Sequence, residues 1–313
     1  MNRLPSWTRS CALYALSALV AGCGGTASQP AVPTVATGSS PSQARAAHGA
    51  LLYVSDTATS EVYVFSYPKG KLLDSFTGFQ DPAGECVDAS GNVFITNTGG
   101  SNIIEYGHGG SAPIATLKDA GWFPIGCSVD PVSGNLAVSN FSSSGSGPGD
   151  VVIYKHAKGR PTGHYTNAKM INMLLCGYDA TGNLFLDGLG QGSAFVLAEL
   201  PHGGASLENI SVDRSIGNAG GVMWDGKYVA VGDQSTNLIY QFNVKGKKAT
   251  TAGSTTLGGA SEVFQFWIDG SKVIGADAVG GDAGIWSYPT GGAPVKTIGG
   301  LYAPLGVVVS AGN

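Results

Sequence analysis

Histidine, cysteine and acidic side chains recur at regular places along this chain of 313 residues. Three histidines, His108, His156 and His202, each follow an alternating apolar segment. Six other apolar segments end in an acidic or amide residue, namely Asp56, Asn97, Asn140, Asp187, Asp233 and Asp277. Imidazoles and carboxylates are metal ligands and general acid–base groups, so the first question is which of them a fold can bring together.

The cysteines have positions that predict a crosslink. Cys86, Cys127 and Cys176 lie in equivalent segments that end in Asp, with Cys86 two residues before that Asp and the other two three residues before it. Because strand side chains alternate in direction, Cys86 and Cys127 should point in opposite senses on adjacent strands and so face each other. We therefore predict a Cys86–Cys127 disulfide with Cys176 free, and three buried free thiols are the alternative.

The N-terminus has the features of a targeting segment. Arg3 and Arg9 flank the start of an apolar run, residues 11–20, that is too short to span a bilayer. The run leads into Val-Ala-Gly-Cys23, which resembles the lipobox of bacterial lipoproteins. The resemblance implies that residues 1–22 are a lipoprotein signal peptide and that Cys23 is lipidated. The alternative is an ordinary cleaved signal.

Residues 23–49 are rich in Ser, Thr, Pro, Ala and Gly and contain almost no large apolar side chain. Such a segment cannot bury enough surface to offset its ordering entropy, so we expect a flexible tether. The signal and tether together predict a location in the bacterial cell envelope, lipid-anchored and extracytoplasmic. Gly24 after the lipidated Cys favours the outer membrane or cell surface, by analogy with enteric bacteria.

A four-part repeat fills the rest of the chain. Its first apolar segments begin at residues 52, 93, 136, 184, 229 and 273. Each is followed by an aromatic-rich alternating segment, a Gly turn with a more polar strand, and a fourth segment that usually ends in Asp and a tight Gly turn. Four strands per unit at a period of roughly 44 residues are typical of a β-propeller.

The ends of the repeat predict how the ring closes. The first unit begins with its second strand at Leu52, and residues 305–309 supply an inner strand at the end of the chain. Pairing the two leaves no orphan sheet edge. We therefore predict an all-β fold over residues 50–313: a six-bladed β-propeller with four antiparallel strands per blade, closed by the C-terminal strand completing the first blade.

The repeat resembles that of NHL-type and related six-bladed propellers, in which a Pro, a Gly and an Asp precede Gly-Asn and an apolar strand. Here Pro82, Gly84 and Asp88 lead to Gly91-Asn92, and the following unit repeats the pattern from Pro124. The resemblance covers residues 51–313. That fold is shared by ligand binders, scaffolds, lyases and lactonases, so it implies an architecture and no single function.

In a propeller of this kind, the loops after the second and fourth strands open on one side, which we call the loop face. Apolar and aromatic residues in these loops predict a ligand or partner site there. The candidate binding residues are Glu85, Trp122, Phe123, Met170, Glu262 and Tyr302. The six Asp and Asn residues named above share this rim, where holding the following turn is their favoured role.

The resemblance also suggests one class of enzyme, the metal-dependent lactonases, with which the candidate residues can be compared. Gluconolactonase-like propellers hold a divalent cation on the axis with a Glu, an Asn and an Asp, and Glu85 lies where the first ligand would be. The motif that should follow is missing, and the other inner strands offer few oxygen ligands. The histidines belong to the outer rim of the opposite side, too far apart for metal bonds of ~2.1 Å. We expect no metal and no cofactor, and we identify no catalytic residues.

The amino-acid composition limits the classes of partner that the protein can bind. Charged residues make up 12% of the chain, the net charge is −4, and no basic stripe is present, which excludes a nucleic-acid partner. We expect a binding or scaffold module for a small molecule, glycan or protein, attached to a membrane through its lipid anchor. The alternative is a lactonase- or lyase-type enzyme using the same loop face.

Overall fold

The computed structural model describes residues 49–312. The predicted signal peptide, the predicted tether through residue 48 with Cys23, and Asn313 lie outside the described residues. Within the described range no helix is long and apolar enough to cross a membrane.

The described residues form 24 strands in five sheets. The first sheet has the order β24-β1-β2-β3 and comprises β1 (Leu51–Asp56), β2 (Glu61–Ser66), β3 (Lys71–Phe76) and β24 (Pro304–Ser310). The second comprises β4 (Pro82–Val87), β5 (Val93–Asn97), β6 (Asn102–Tyr106) and β7 (Pro113–Lys118). The third comprises β8 (Trp122–Val129), β9 (Leu136–Ser143), β10 (Val151–Tyr154) and β11 (Pro161–Tyr165).

The fourth sheet has eight strands in two antiparallel runs. One run is β12 (Asn172–Tyr178), β13 (Leu184–Leu189), β14 (Phe195–Leu200) and β15 (Glu208–Val212). The other is β16 (Ala219–Trp224), β17 (Val229–Asp233), β18 (Leu238–Lys245) and β19 (Lys248–Thr256). The fifth sheet is β20 (Val263–Asp269), β21 (Lys272–Asp277), β22 (Asp282–Ser287) and β23 (Lys296–Gly299). Three single-turn 3-10 helices complete this part of the chain: Thr98–Gly100, Lys155–Ala157 and Gln191–Ser193.

The eight-stranded sheet differs from the separate four-stranded sheets that the sequence predicts. Its two runs are joined by parallel pairing of β15 with β19, where Ser211 lies opposite Lys248 and Val212 opposite Ala249. The β18–β19 hairpin is the longest among residues 49–312, with strands of 8 and 9 residues, so its tip reaches the outer edge of the neighbouring run. The two outer strands therefore bond to each other at two positions.

Six strands surround a common axis, and we call them the inner strands: β24, β4, β8, β12, β16 and β20. Each contacts the next in this order, and β20 contacts β24 to close the ring. Neighbouring inner strands approach each other so closely that some positions require glycine. A Cβ added at Gly84 would lie 2.5 Å from the Ile125 oxygen, and one at Gly177 would lie 2.6 Å from the Val222 oxygen. The arrangement is that of a β-propeller.

Every inner strand carries a β-bulge at the same level. The pairing with the second strand shifts between Pro82 and Glu85 in β4 and at the equivalent point in the other five inner strands. Because a bulge redirects side chains, an apolar residue from each inner strand turns toward the axis. These residues pack in one buried cluster, which we call the plug: Ala83, Ile125, Leu174, Ala219, Phe264 and Leu305.

The C-terminal strand closes the ring, as the sequence predicts. β24 pairs antiparallel with β1, from Leu51 opposite Ser310 to Asp56 opposite Pro304. Its Val307 and Val308 are fully buried between neighbouring sheets. The first sheet thus contains strands from both ends of the described range.

Candidate functional site

Four of the six Asp and Asn residues on the loop face have structural roles. Asp277 accepts hydrogen bonds from the backbone of its own turn, at Gly280 (2.9 Å), and from Ser261 (2.7 Å), which leads into β20, the inner strand of the same sheet. Asp56 and Asp233 make the same two kinds of bond, and Asn97 accepts one from Gln80 (2.6 Å). These side chains connect each turn to the segment that leads into an inner strand. This agrees with the turn-holding role that the sequence favours.

Asn140 and Asp187 depart from that pattern. Asn140 donates to the Asp150 carboxylate (2.8 Å), and Asp187 accepts from the Leu175 backbone (3.0 Å) inside the sheet. Both side chains are 0% exposed, and each has an oxygen without a partner among the described residues. Burial raises the pKa of Asp187 well above its ordinary value.

The loop face exposes apolar side chains around the plug. Tyr302 is 39% exposed, Trp122 and Phe123 are half-buried, and the half-buried Glu262 has a raised pKa because of burial and the nearby Asp277. Two further apolar residues were not singled out from the sequence, Ile171 (50% exposed) and Val279 (53%). Val279 is in the turn whose Gly281 contacts the segment carrying Tyr302.

Met170 is a correction to the predicted site. It is 2% exposed and packs in a core cluster with Met173, Leu186 and Ala198. The bend of the chain before β12 turns its side chain inward and leaves its neighbour Ile171 outside. The exposed apolar residue of this segment is therefore Ile171.

Glu85 is a second correction, because its side chain lies inside the ring and not on the loop face. It is 0% exposed, and Oε1 accepts a hydrogen bond from the Ser55 hydroxyl (2.6 Å). No donor among residues 49–312 reaches Oε2. Burial raises the pKa of Glu85 to about 8, against the smaller lowering effect of Ser55.

Gln265 crosses the axis to the strands beside Glu85. Its Oε1 accepts from the backbone N–H groups of Glu85 (2.9 Å) and Val307 (3.0 Å), and its Nε2 donates to the Glu85 carbonyl (2.7 Å). One amide thus connects β20, β4 and β24. Glu85 and Gln265 both lie on the far side of the plug from the loop face.

A pocket of about 300 Å³ opens on the axis at the side opposite the loop face. Its wall comes from the C-terminal halves of five inner strands and includes Cys176, Tyr178, Met223, Trp224, Gln265 and Trp267. No Lys or Arg of the described chain is in this wall. The sequence analysis missed this site, although an aromatic residue one or two positions before the strand-ending Asp was visible in three consecutive units.

A larger open groove, about 1020 Å³, separates the turns of the second and third sheets. Two of its three acidic residues are already engaged: Asp88 accepts from Ser90 and Asn92 of its own turn, and Asp130 from Val132. These side chains form tight turns and have little capacity left for a ligand. We therefore place less weight on this groove than on the axial pocket and the loop face.

The histidines make separate local contacts. His108 is hydrogen-bonded to Ser310 (2.8 Å), the ring of His156 to the Ser133 carbonyl (2.9 Å), and the His202 backbone to Asn183 (2.9 Å). Among residues 49–312 no three His, Cys, Asp or Glu side chains converge where they could hold a metal ion.

The structure joins Cys86 and Cys127 in a disulfide with their Cα atoms 5.6 Å apart. It links the second sheet to the third. Cys176 is a free, buried thiol, and burial raises its pKa to about 12, which makes it a poor nucleophile. Neither feature suggests cysteine catalysis.

Comparison with known proteins reveals likeness only in structure. No family model and no curated protein matches the chain. A chain of the crystal structure of a nidogen/laminin complex has a TM-score of 0.67 and 14% identity, covering 84% of this chain and 98% of that one. A protein of unknown function from Bacteroides caccae has a TM-score of 0.62 and 10% identity, covering 84% and 99%. At such identities the likeness establishes the β-propeller fold and nothing further.

Proposed function

We propose that this chain is a membrane-anchored, extracytoplasmic β-propeller that binds a protein partner through its loop face. We count each antiparallel run of the eight-stranded sheet as one blade, which gives six blades of four strands. The β15–β19 pairing at two positions is then a contact between two blades and does not change their number.

The exposed apolar residues of the loop face carry this proposal. Ile171, Val279 and Tyr302 are 50%, 53% and 39% exposed, and Trp122 and Phe123 are half-buried on the same face. Soluble surfaces seldom collect large apolar side chains on one side without a partner. The plug behind them closes the axis, so this face presents a surface and not a deep cavity. Surfaces of this shape suit proteins better than small molecules.

The lactonase- or lyase-type alternative has less support. Its best candidate acid, Glu85, is buried on the far side of the plug from the loop face and is bonded to Ser55. The nidogen/laminin structure is a complex of two proteins, and a partner-binding role by analogy with that propeller fits an exposed apolar face.

A small molecule in the axial pocket is a second candidate. Trp224, Trp267 and Tyr178 line a space of about 300 Å³ that contains no cationic side chain. Aromatic walls without Lys or Arg favour a neutral or cationic ligand with an apolar face, and disfavour phosphates and carboxylates.

Substitution of exposed apolar residues on the loop face, compared with substitution of an exposed valine elsewhere, tests the proposal. Val279→Ser with Tyr302→Ala should abolish retention of an envelope partner, because both remove apolar contact area at the proposed interface. Val132→Ser is the control, since Val132 is 58% exposed in a turn on the opposite side. The measurement is co-purification from detergent-solubilised envelopes, scored by mass spectrometry as proteins lost in the double variant and kept in the control. Identical partner sets for all three proteins would contradict the proposal.

The anchor is tested separately, on residues outside the described range. We expect palmitate labelling of the wild-type chain and none of Cys23→Ser, because the thiol is the proposed attachment point. Two or more acyl chains are needed for stable anchoring, so Cys23→Ser should also move the protein from the membrane to the soluble fraction. Equal labelling of both proteins would refute lipidation at Cys23.

A further inference from the structure

The turns on the side opposite the loop face differ in charge from one antiparallel run to the next. We call this side the basal face, and it includes the turn between the third and the outer strand of each run. The β6–β7, β14–β15 and β22–β23 turns, residues 107–112, 201–207 and 288–295, contain no Lys, Arg, Asp or Glu. The β2–β3, β10–β11 and β18–β19 turns, with the strand residues that border them, contain eight cations: Lys69, Lys71, Lys155, Lys158, Arg160, Lys245, Lys247 and Lys248.

A ninth cation, Lys296, lies beside the first of these turns. A Cβ added at Gly70, in the β2–β3 turn, would lie 2.8 Å from Lys296 Cε. Eight of the nine residues are exposed, and Lys296 is half-buried. The cations thus form three groups of three, which we call the first, second and third foot: Lys69, Lys71 and Lys296; Lys155, Lys158 and Arg160; Lys245, Lys247 and Lys248.

The three feet are distributed evenly around the axis. The inner strands of their runs are β24, β8 and β16, and in the ring these alternate with β4, β12 and β20. Equivalent turns of a propeller lie at the same end of each run. Three feet on alternate runs therefore define a plane that crosses the axis on the basal side.

The feet keep most of their charge. Lys247 pairs with Glu208 (3.2 Å), and no other foot residue forms a salt bridge within residues 49–312. Glu105 interacts electrostatically with Lys158, and Asp269 is exposed nearer the axis. Four further acids of the basal face are buried or half-buried and accept hydrogen bonds from the backbone of their own turns: Asp88, Asp130, Asp179 and Asp225.

The loop face has no such groups of cations. In the described chain its cations are Lys118, Lys169 and Arg214, which lie beside three different loops. Arg214 is 4.0 Å from the Asp213 carboxylate, and the half-buried Glu262 adds a further acid. Positive charge is therefore concentrated on the basal face, although the net charge of the whole chain is −4.

The chain enters the ring beside the first foot. The carbonyl of Ala50, one residue before β1, accepts a hydrogen bond from the backbone N–H of Tyr67 (2.9 Å), which leads into the β2–β3 turn. The part of the chain that precedes Gly49 is therefore joined to the ring at the basal face. That part includes Cys23, the proposed lipidation site, so the anchor is attached to the side that carries the feet.

We propose that the three feet contact the surface of a bilayer that contains anionic phospholipids, with the loop face turned away from it. The inference rests on the membrane anchoring proposed above and adds a contact surface and an orientation. Each Lys or Arg close to an anionic surface adds attraction, and the anchor raises the local concentration of the feet at the membrane. A nucleic-acid duplex is a rod that meets one or two feet at a time, whereas a flat bilayer meets all three, so the spacing favours a membrane.

Vesicle binding by the full chain with Cys23→Ser tests the feet without the anchor. The vesicles are phosphatidylcholine with about one third phosphatidylglycerol, in about 0.02 M salt so that screening is weak. Neutralising the second foot should weaken binding roughly ten-fold, because three cations leave the contact surface. This foot variant carries Lys155→Gln, Lys158→Gln and Arg160→Gln.

The matched control removes the same number of cations from the loop face and should bind as the unaltered Cys23→Ser chain does. Every variant has the same N-terminal segment, so a difference between variants arises in the ring. Neutralising the third foot gives an independent variant if the second-foot variant fails to fold. The control carries Lys118→Gln, Lys169→Gln and Arg214→Gln, and the third-foot variant carries Lys245→Gln, Lys247→Gln and Lys248→Gln.

Lysine acetylation with and without the same vesicles measures the orientation. Mass spectrometry should show that bound vesicles protect the lysines of the feet from acetylation. Lys118 and Lys169 should react equally in both samples, because the loop face is turned away from the bilayer. They are an internal control within the same molecule.

Three results overturn the proposal: unchanged binding by the foot variants, an equal loss of binding in the loop-face control, or protection of Lys118 and Lys169 in place of the feet. Binding of duplex DNA as tight as that of the vesicles would also overturn it, since the feet would then bind any polyanion. Palmitate labelling distinguishes failure of the anchor from failure of the feet. Labelling at Cys23 without vesicle binding by the Cys23→Ser chain refutes the feet alone, and foot-dependent vesicle binding without labelling supports the feet and refutes the anchor.

Discussion

The carboxyl group of Glu85 is buried in the protein interior, where one side-chain donor, the Ser55 hydroxyl, forms a hydrogen bond with it. Its pKa rises from an ordinary value of 4.5 to about 8 because burial disfavours the charged form. At neutral pH the side chain is therefore mostly a neutral acid. It lies beside the backbone that Gln265 connects across the axis, so its ionisation acts on the contact between β4, β20 and β24.

This shift predicts a pH dependence of stability. Between pH 4.5 and 8 the folded protein holds a proton that the unfolded chain has released, so the free energy of unfolding falls as pH rises. For Glu85 the fall totals at most about 5 kcal/mol. Glu85→Gln keeps an acceptor for Ser55 and should remove this part of the slope.

Chemical denaturation across that pH range measures the effect. Glu262→Gln serves as the control, since Glu262 is only half-buried on the loop face and should change the slope little. Asp187 remains in all three proteins and adds the same slope to each. A wild-type slope retained in Glu85→Gln would mean that the Glu85 carboxyl is hydrated in solution.

The structural elements explain which features could be predicted from sequence. Strand order, turns and ring closure each have a local signal, such as the Asp88-to-Asn92 turn with Gly91 at a φ of 81°. The Cys86–Cys127 pairing used strand alternation alone, which holds over the two or three residues between each Cys and its Asp. The structure pairs the same two cysteines because both lie after the bulge.

The bulges explain what could not be predicted. A one-residue shift in register leaves no mark in a single sequence, yet it decides which side chains turn toward the axis. Glu85 immediately follows the bulge of β4 and is buried, not displayed. For the same reason Trp224 and Trp267 could be identified as strand residues but not as the wall of a pocket.

The disulfide gives a prediction for the contact between two sheets. It closes a loop with a sequence separation of 41 residues, for which the chain-entropy model gives roughly 4 kcal/mol of stabilisation. The double variant Cys86→Ala, Cys127→Ala should lose up to this amount, and reductant should no longer change its melting temperature. Cys176→Ala should retain the reductant effect. Non-reducing peptide mapping that links Cys127 to Cys176, or finds no link, would contradict the pairing.

The whole molecule depends on a ring that the last strand completes. β24 pairs with β1 along its length and contacts β4 and β20, so it belongs to the interfaces of three sheets. Its Ser310 hydroxyl also donates to the Gly91 carbonyl (2.7 Å). Side chains on this strand pack in two core clusters and in the plug. Closure is therefore a property of the complete chain and of no single sheet.

Deletion of residues 305–313 is the strongest test of this architecture. The deletion removes Val307 and Val308, both fully buried, and burial of each stabilises the fold by about 1.5–3 kcal/mol. It also exposes the edge of β1, which can then pair with another chain. Since whole domains are stable by about 5–15 kcal/mol, the shortened protein should aggregate or lose its cooperative melt. Deletion of residues 311–313, which follow β24, should leave the melt unchanged. Size-exclusion chromatography and calorimetry on both proteins decide the matter, and a monomeric 1–304 chain with wild-type melting would show that the ring closes without its C-terminal strand.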